Sequence, residues 1–320
     1  MKILITGATG LIGSEIVGLC LKKGCTVHYL TTQKKKIVSK DRYHGFHWNP
    51  AKGEIDLECF KGVDAIINLA GESISKRWTA NNRKRIMESR INSLRTLAKG
   101  LEDFGDRSVS SFVSASAIGI YPDSLSDYYT EEEQGVDDSF LGEVVSSWER
   151  EADAFKKFGF PVAKIRIGLV LSTKGGALPK MAKPIDNYIG AAFGTGEQWQ
   201  SWIHIRDLAR IFLFAVHHRL EGIYNGVGPN PVSNNKLTKE IAVVLNKPLI
   251  LPNIPRFAMK LLLGNMSYIL FASQRVSSKK IEDEGFSFHF QNICRSLEEL
   301  YQKTVPQKSP ISLDNTEYQG

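Results

Sequence analysis

Three glycines near the amino terminus have the spacing with which backbone amides bind phosphate. Gly7, Gly10 and Gly13 recur at every third residue of the run GATGLIG, between a strand-like and a helix-like segment. In this setting the first glycine permits a tight turn, the second lets pyrophosphate approach the backbone, and the third lets the helix pack on the sheet. The free N–H groups and positive dipole at a helix start favour an anion. The run therefore predicts a dinucleotide site, with a purely structural turn as the alternative.

The end of the second predicted strand indicates which dinucleotide would bind. Thr31 and Thr32 close this strand, Lys34, Lys35 and Lys36 follow, and Asp41 is the first acid. A site for a free ribose 2′-hydroxyl normally has an acid here, whereas hydroxyls and ammonium groups suit a 2′-phosphate. NADP(H) is therefore predicted over NAD(H), and the alternative is that the lysines form only a solvated loop.

The pattern of apolar residues predicts the elements that position these groups. Short apolar runs alternate with segments of helical period, which is the rhythm of a parallel, doubly wound Rossmann sheet. The predicted strands are 3–5, 27–30, 65–69, 112–113 and 162–167, and the predicted helices are 11–23, 81–104 and 140–158. We predict an α/β Rossmann core over 1–171, with a later strand and helix from about 203–228. A smaller substrate-side lobe and helical domain would cover 172–303, and a flexible tail 304–320.

Composition narrows the function classes. The chain has 320 residues, 42% apolar and 23% charged, which is ordinary for a globular protein. Its net charge of +7 comes from basic residues interleaved with 34 acids, so no basic stripe predicts nucleic-acid binding. The four cysteines show no metal-ligand spacing, and no metal is expected. The start lacks signal-peptide features and the apolar runs are strand-sized, so we expect a cytoplasmic protein without a membrane partner.

Further motifs resemble one protein family. The segment 68–71 (NLAG) together with 202–209 (WIHIRDLA) is similar to extended short-chain dehydrogenases/reductases. The segments 48–50 (WNP), 77–79 (RWT) and 196–204 (GEQWQSWIH) narrow the resemblance to "epimerase family" proteins of the nucleoside-diphosphate-sugar epimerase type. Such proteins end in a small domain of unknown function, which 261–300 resembles. The resemblance covers roughly residues 1–303 and implies an NADP(H)-binding oxidoreductase or epimerase.

The resemblance also implies which residues contact the cofactor. The glycine turn would hold the pyrophosphate, the two threonines would face the adenosine ribose, and the 69–71 segment would line the adenine side. Arg90 could reach the cofactor, or form only a surface salt bridge. The predicted cofactor-binding set is Gly7, Thr9, Gly10, Leu11, Ile12, Gly13, Thr31, Thr32, Leu69, Ala70, Gly71, Arg90 and Ser114.

The catalytic pair of this superfamily is missing. The chemistry needs a tyrosine as proton donor and a lysine four residues later, and no tyrosine of this chain has that lysine. Phe140 and Val144 stand at the expected places. Ser116 could instead bind a substrate carbonyl and Tyr121 could act as the acid, or both could be ordinary strand-end residues. Glu143 or Glu149 could be a base, although solvated helix glutamates are the alternative.

Two function classes stay open. The first is an NADP(H)-dependent oxidoreductase or epimerase-like enzyme acting on a small carbonyl or sugar-like substrate. The second is a catalytically degenerate nucleotide-binding sensor or scaffold, which the missing pair favours. Trp199 and Trp202 could form a substrate-side wall, or pack in the core. The substrate is unknown, and a homodimer is expected from relatives of this fold.

Overall fold

The computed structural model describes residues 1–105 and 108–302. Its strands are β1 Lys2–Thr6, β2 Thr26–Thr31, β3 Ser39–Lys40, β4 Tyr43–Asn49, β5 Glu54–Ile55, β6 Ala65–Asn68, β7 Ser111–Ala117, β8 Tyr128–Tyr129, β9 Val162–Ile167, β10 Leu169–Leu171, β11 Trp199–Gln200, β12 Trp202–His204, β13 Gly222–Gly226, β14 Val232–Ser233 and β15 Arg275–Val276. Its helices are α1 Leu11–Lys22, α2 Ala80–Phe104, α3 Phe140–Asp153, α4 Leu178–Asp186, α5 Ile205–His217, α6 Asn234–Val244, α7 Arg256–Leu263, α8 Tyr268–Phe271, α9 Lys279–Asp283 and α10 Ile293–Gln302. The predicted tail, 304–320, lies outside the described residues.

The main sheet has the order β13-β9-β7-β6-β1-β2-β4-β3, with β5 paired to β4. All pairings along this order are parallel except that of β3 with β4. The chain moves outward from β1 to β2 and β4, then returns to the other side of β1 through β6, β7, β9 and β13. The order therefore reverses between β1 and β6, and ligands of such sheets bind at the carboxyl ends of the strands flanking this switch point. The predicted doubly wound Rossmann fold is confirmed.

Local sequence explains the elements beside this switch point. Strand β1 has Ile3, Leu4 and Ile5 fully buried, as expected for a strand covered on both faces. Helix α2 begins where the Thr79 hydroxyl accepts the Asn82 N–H, and it ends at Gly105, whose φ is 72°. The main core lies between the sheet and two helix pairs, α1 with α5 and α2 with α3.

The carboxyl-terminal third packs a second apolar cluster beside the sheet. Helices α4, α6 and α10 contribute most of it, around the buried residues Leu178, Leu237 and Leu297. Strand β13 extends the main sheet next to β9, and α5 packs on α1. The segment from 205 to 226 therefore belongs to the layers of the main sheet, although it follows the first part of the second lobe in sequence.

Candidate functional site

The glycine turn joins β1 to α1 at the switch point, and its first and third glycines are required by close backbone contacts. Gly7 has a φ of +68°, and a Cβ there would lie 3.0 Å from the Leu69 carbonyl. A Cβ on Gly13 would lie 2.2 Å from the Gly7 carbonyl oxygen, so helix and turn approach too closely for any side chain. These two glycines therefore fix the turn and its distance to β6.

Gly10 is less constrained by its surroundings than Gly7 and Gly13. Its φ is −77°, and a Cβ would have the Gly7 carbonyl oxygen at 3.2 Å as its one described neighbour within 4 Å, chain neighbours aside. Gly10 caps α1 without a side-chain hydrogen bond, and the first turn of α1 has no acid. The amides of Leu11, Ile12 and Gly13 therefore have no intrahelical partner. This open, electropositive cradle fits a pyrophosphate, with Thr9 in the same turn.

The end of β2 holds the threonines and lysines that the sequence singled out. Thr31 is buried and its hydroxyl accepts the Gln33 N–H at 3.2 Å, whereas Thr32 is exposed. Residues 34–36 form an exposed 3₁₀ turn. The Tyr29 hydroxyl donates to the Lys36 carbonyl at 2.7 Å and accepts the Val38 N–H at 2.9 Å, which fixes this turn to the sheet. Within the described residues no carboxylate pairs with the three ammonium groups, so they are available to an anion.

A polar network ties together the carboxyl ends of β1, β6 and β7. The Thr6 hydroxyl donates to Asn68 Oδ1 at 2.8 Å and accepts the N–H groups of Leu69 and Ala70 at 3.0 and 3.1 Å. Asn68 Nδ2 donates to the Ser114 hydroxyl at 3.1 Å. Ser114 is fully buried in this network, and the predicted 69–71 segment is held over the end of β1. Thr6 was missed from sequence because its partner is 62 residues away.

Arg90 lies against Gly71, at the end of the 69–71 segment. Its Nη1 donates to the carbonyls of Glu72 and Ile86 at 3.1 and 2.9 Å, and its guanidinium stacks 4.9 Å from the Trp148 ring. A Cβ on Gly71 would lie 3.1 Å from Arg90 Cζ. Burial lowers the pKa of this guanidinium to about 10, so it stays protonated at neutral pH. Among the described residues it has no carboxylate within salt-bridge distance, unlike the surface pair that was the alternative.

Ser116 belongs to a buried ionic group at the end of β7. Its hydroxyl donates to Glu149 Oε1 at 2.6 Å. Arg166 donates from Nε to the same oxygen at 2.8 Å and from Nη2 to Oε2 at 3.0 Å, so the pair is bidentate. The Arg166 and Glu149 side chains are only 5% and 8% exposed. The carboxylate raises the pKa of Arg166 despite its burial. Glu149 therefore connects the serine hydroxyl to Arg166, which balances the charge of the carboxylate.

Tyr121 continues this group toward the carboxyl-terminal lobe. The side chain is fully buried, and its hydroxyl accepts from Arg166 Nη1 at 3.0 Å and donates to Asn225 Oδ1 at 2.8 Å. Burial raises the pKa of this phenol above its ordinary value. Asn225 Nδ2 in turn donates to the Ser277 carbonyl at 3.0 Å. In this arrangement the proton of Tyr121 is directed at an amide oxygen rather than at open space.

The places of the missing catalytic pair are filled by an apolar cluster. Val144 is buried and Phe140 packs beside it, with the Trp78 ring 5.2 Å from the Phe140 ring in an edge-on arrangement. Tyr268 of α8 joins the same cluster and donates to Asp137 Oδ2 at 2.6 Å. Desolvation and the carboxylate both raise the pKa of this phenol. The cluster thus lacks a low-pKa proton donor among its described members.

The structure shows the burial of four residues for which the sequence left two roles possible. Glu143 is exposed, whereas Glu149 is buried, so the solvated-helix alternative is wrong for Glu149. Trp202 is fully buried in the second core cluster and donates to the Asn230 carbonyl. Trp199 is half-buried and its indole N–H donates to the Leu125 carbonyl at 3.0 Å. Core packing therefore describes Trp202, while Trp199 is only half-buried and has the Arg275 guanidinium 4.6 Å from its ring.

His204 and Asp207 join the layer of α5 to the carboxyl-terminal lobe. Burial lowers the pKa of His204 well below its ordinary value, so the neutral ring can donate from Nε2 to Glu299 at 3.1 Å. Asp207 is fully buried and accepts the N–H groups of His289 and Phe290 at 3.0 and 2.8 Å.

Comparison with known proteins places the chain. The family model described as NAD dependent epimerase/dehydratase family matches residues 3–226, and a domain of unknown function, DUF1731, matches residues 254–300. The chain belongs to the NAD dependent epimerase/dehydratase family. The resemblance predicted from sequence is therefore confirmed, including its carboxyl-terminal domain of unknown function.

Relatives of this NAD dependent epimerase/dehydratase family member cover nearly its whole length. An epimerase family protein of Staphylococcus aureus strain MRSA252 is 36% identical over 303 residues, covering 94% of this chain and 99% of the relative. The human epimerase family protein (isoform 2), solved with NADPH, has a TM-score of 0.82 at 26% identity, covering 94% and 99% of the two chains. A nucleoside-diphosphate sugar epimerase from Corynebacterium glutamicum has a TM-score of 0.75 at 29% identity, covering 94% of this chain and 58% of that one.

Among the helices of residues 1–105 and 108–302, none combines the length and the apolar character needed to cross a membrane.

Proposed function

We propose that this chain binds NADP(H) and acts as an oxidoreductase or epimerase-like protein on a small carbonyl or sugar-like substrate. The observation that carries the proposal is the open cradle at Gly10, which the fold itself does not require. Its position at the switch point beside the 69–71 segment supports a dinucleotide rather than a lone phosphate. NADP(H), when bound, supplies a hydride donor or acceptor. Calorimetric titration of the purified protein with NADPH, NADP⁺ and NADH tests this proposal, and absence of binding by all three would contradict it.

Cofactor preference is expected to depend on Thr32. An aspartate there would repel the 2′-phosphate and would suit a ribose 2′-hydroxyl instead. Because a charge-assisted hydrogen bond contributes about 1.5 to 3 kcal/mol, Thr32→Asp should weaken NADPH binding by roughly tenfold or more. Binding of NADH should change little or improve. Calorimetry at fixed low ionic strength measures both affinities, since salt screens exposed lysines.

The control for this variant is Thr130→Asp, which adds the same charge at an exposed threonine beside β8. It should leave both affinities unchanged. Equal affinity of the wild-type protein for NADPH and NADH, or an indifferent Thr32→Asp, would mean that the lysine turn is only a solvated loop.

Proton transfer is the step for which this chain must use other residues than a tyrosine and lysine. We assign Ser116 to contact the substrate oxygen. When a substrate alcohol is oxidised, Glu149 accepts the serine proton as the serine takes the proton of the substrate. When NADPH reduces a carbonyl, the proton moves along the same path in reverse, and water resupplies it. Arg166 is a positioning residue, because it orients the carboxylate without facing the substrate. Turnover of generic aldehydes, ketones and nucleotide sugars should be slow, and Ser116→Ala should lower it by at least about 100-fold.

Absorbance of NADPH at saturating cofactor measures this turnover, with dinucleotide affinity measured on the same samples. Ser126→Ala, at an exposed serine, is the control for the substitution itself. Brisk turnover that survives Ser116→Ala would show that the proton donor lies elsewhere.

The second candidate function is a nucleotide-binding sensor or scaffold without catalysis. It is favoured by the apolar cluster around Phe140 and Val144 and by the burial of the Ser116 and Tyr121 hydroxyls. Under this function the dinucleotide titrations succeed while turnover stays absent across all substrates. The same two assays therefore separate the candidates.

A further inference from the structure

Helix α7 is the most exposed apolar feature of the described residues. None of its eight residues is buried. The side chains of Phe257, Leu261 and Leu262 are 76%, 84% and 67% exposed, and Ile250 in the preceding loop is 69% exposed. Scattered apolar residues are normal on a surface, but four within thirteen residues form a patch whose exposure to water is unfavourable in free energy.

Along the chain, the charged residues that flank α7 have one sign only, although Asp186 and Asp283 pair with Lys247 and Lys279. Between residues 241 and 281 the sequence contains no aspartate or glutamate, while it contains Lys247, Arg256, Lys260, Arg275, Lys279 and Lys280. Arg256 and Lys260 are one helical turn apart and exposed. Within the described part of the chain, no carboxylate pairs with either of them. The patch is therefore apolar and cationic.

The geometry of α7 aligns these two properties side by side. Phe257 and Leu261 are four residues apart and share one stripe, and Arg256 and Lys260 share the neighbouring stripe. The helix packs chiefly against the 3₁₀ turn Gly264–Ser267 that follows it. Its outer side, together with the 250–251 loop, is left to solvent. A flat apolar layer bordered by negative charge is the surface that matches this arrangement.

We propose that α7 and the 250–251 loop dock this protein on an anionic lipid surface. Apolar side chains would enter the boundary between headgroups and acyl chains, and Arg256 and Lys260 would contact lipid phosphates. The helix lies on the membrane rather than crossing it, because eight residues span only about 12 Å. The prediction from sequence that no membrane partner exists rested on the length of apolar runs, which tests for spanning alone.

A second copy of the chain fits this patch less well. Paired α7 helices would bring Arg256 and Lys260 of both copies into one interface, and the 241–281 segment offers no carboxylate to balance them. Buried like charges oppose such association. The lipid proposal does not depend on the proposed function, since no cofactor residue lies in the patch.

Vesicle co-sedimentation of the full chain tests the proposal. We expect binding to vesicles of phosphatidylglycerol and phosphatidylcholine in equal amounts, and at least about tenfold weaker binding to phosphatidylcholine alone or in high salt. Leu261→Asp should weaken binding to the anionic vesicles by about tenfold or more. The change replaces an apolar side chain that would be buried among the lipids with a carboxylate that anionic headgroups repel. Lys260→Glu should weaken it by about 25-fold, at about fivefold per charge.

Matched controls place the same changes elsewhere on the surface. Leu125→Asp and Lys52→Glu alter an exposed leucine and an exposed lysine outside the patch, and both should bind as the wild type does. Because all four sites are exposed, thermal unfolding midpoints should stay close to that of the wild type. Absence of vesicle binding by the wild type, or binding unaffected by Leu261→Asp, would overturn the proposal. A dimer in sedimentation equilibrium that Leu261→Asp dissociates, without vesicle binding, would assign the patch to a second copy instead.

Discussion

Replacing Gly10 with leucine is expected to abolish dinucleotide binding while the protein remains folded. The Cβ itself would need only a small shift, because its one close described contact is the Gly7 carbonyl oxygen at 3.2 Å. The rest of the leucine side chain would project into the cradle in front of the α1 amides. Losing two charge-assisted hydrogen bonds there costs about 3 to 6 kcal/mol, so affinity should fall by more than about 100-fold. Calorimetry measures the affinity, and thermal unfolding reports the fold.

The matched control is Gly18→Leu, which makes the same substitution within α1. A Cβ on Gly18 meets no described atom within 4 Å, so this variant should bind dinucleotide normally. Gly13 cannot serve in this test, because its Cβ would lie 2.2 Å from the Gly7 carbonyl and the variant would disturb the fold. Undiminished affinity of Gly10→Leu would refute the cofactor site.

Sequence patterns predicted the parts of this fold that local chemistry determines. The runs around Ile3, Val27, Ile66, Val113 and Ile165 are strands of the central sheet, and each carries a short run of buried apolar residues. Such runs are expected where a strand is covered on both faces. The glycine turn could also be predicted, since the positive φ of Gly7 and the close approach of Gly13 to the Gly7 carbonyl are local features. Local information was sufficient in both cases.

Strand β4 was not predicted, for a physical reason. It reads YHGFHWN, and Trp48 is its only buried residue, so it shows neither a continuous apolar run nor a clean alternation. It can pair with β2 because Gly45, which has no side chain, leaves space for the Tyr29 ring. A Cβ on Gly45 would lie 2.4 Å from Tyr29 Cζ. That contact, like the stacking of Tyr29 on Tyr43 at 4.4 Å, joins residues distant in sequence. The apolar pattern of a short sequence segment does not contain such contacts, so it does not predict this strand.

The ionic group around Ser116 escaped prediction in the same way. Ser116 and Glu149 are 33 residues apart, and Tyr121 and Asn225 are 104 apart. From sequence, Glu149 is one of several glutamates on an amphipathic helix, where solvation is the ordinary outcome. Only the arrival of Arg166 on the neighbouring strand explains why this one is buried. Arg166 on β9 could have indicated this ion pair, since a charged residue inside a buried parallel strand requires a counter-ion.

The second large effect is expected on stability, from Arg166→Met. This change leaves the Glu149 carboxylate buried without its cation, which typically costs about 3 to 5 kcal/mol of unfolding free energy. The double variant Arg166→Met with Glu149→Gln removes the charge as well, so it should recover a large part of that loss. Urea unfolding of the wild type, both single variants and the double variant gives the coupling energy of the pair.

The pair of Arg95 and Glu151 is the comparison that tests whether this cost comes from burial. It is also an arginine–glutamate pair joining two elements, but its side chains are 65% and 19% exposed, against 5% and 8% for Arg166 and Glu149. Arg95→Met should therefore cost less than about 1 kcal/mol, because removing the exposed arginine opens the half-buried glutamate to water. A similar cost for both methionine variants would mean that Arg166 contributes by packing rather than by balancing charge. In that case the assignment of Arg166 as the positioning residue of Glu149 would fail.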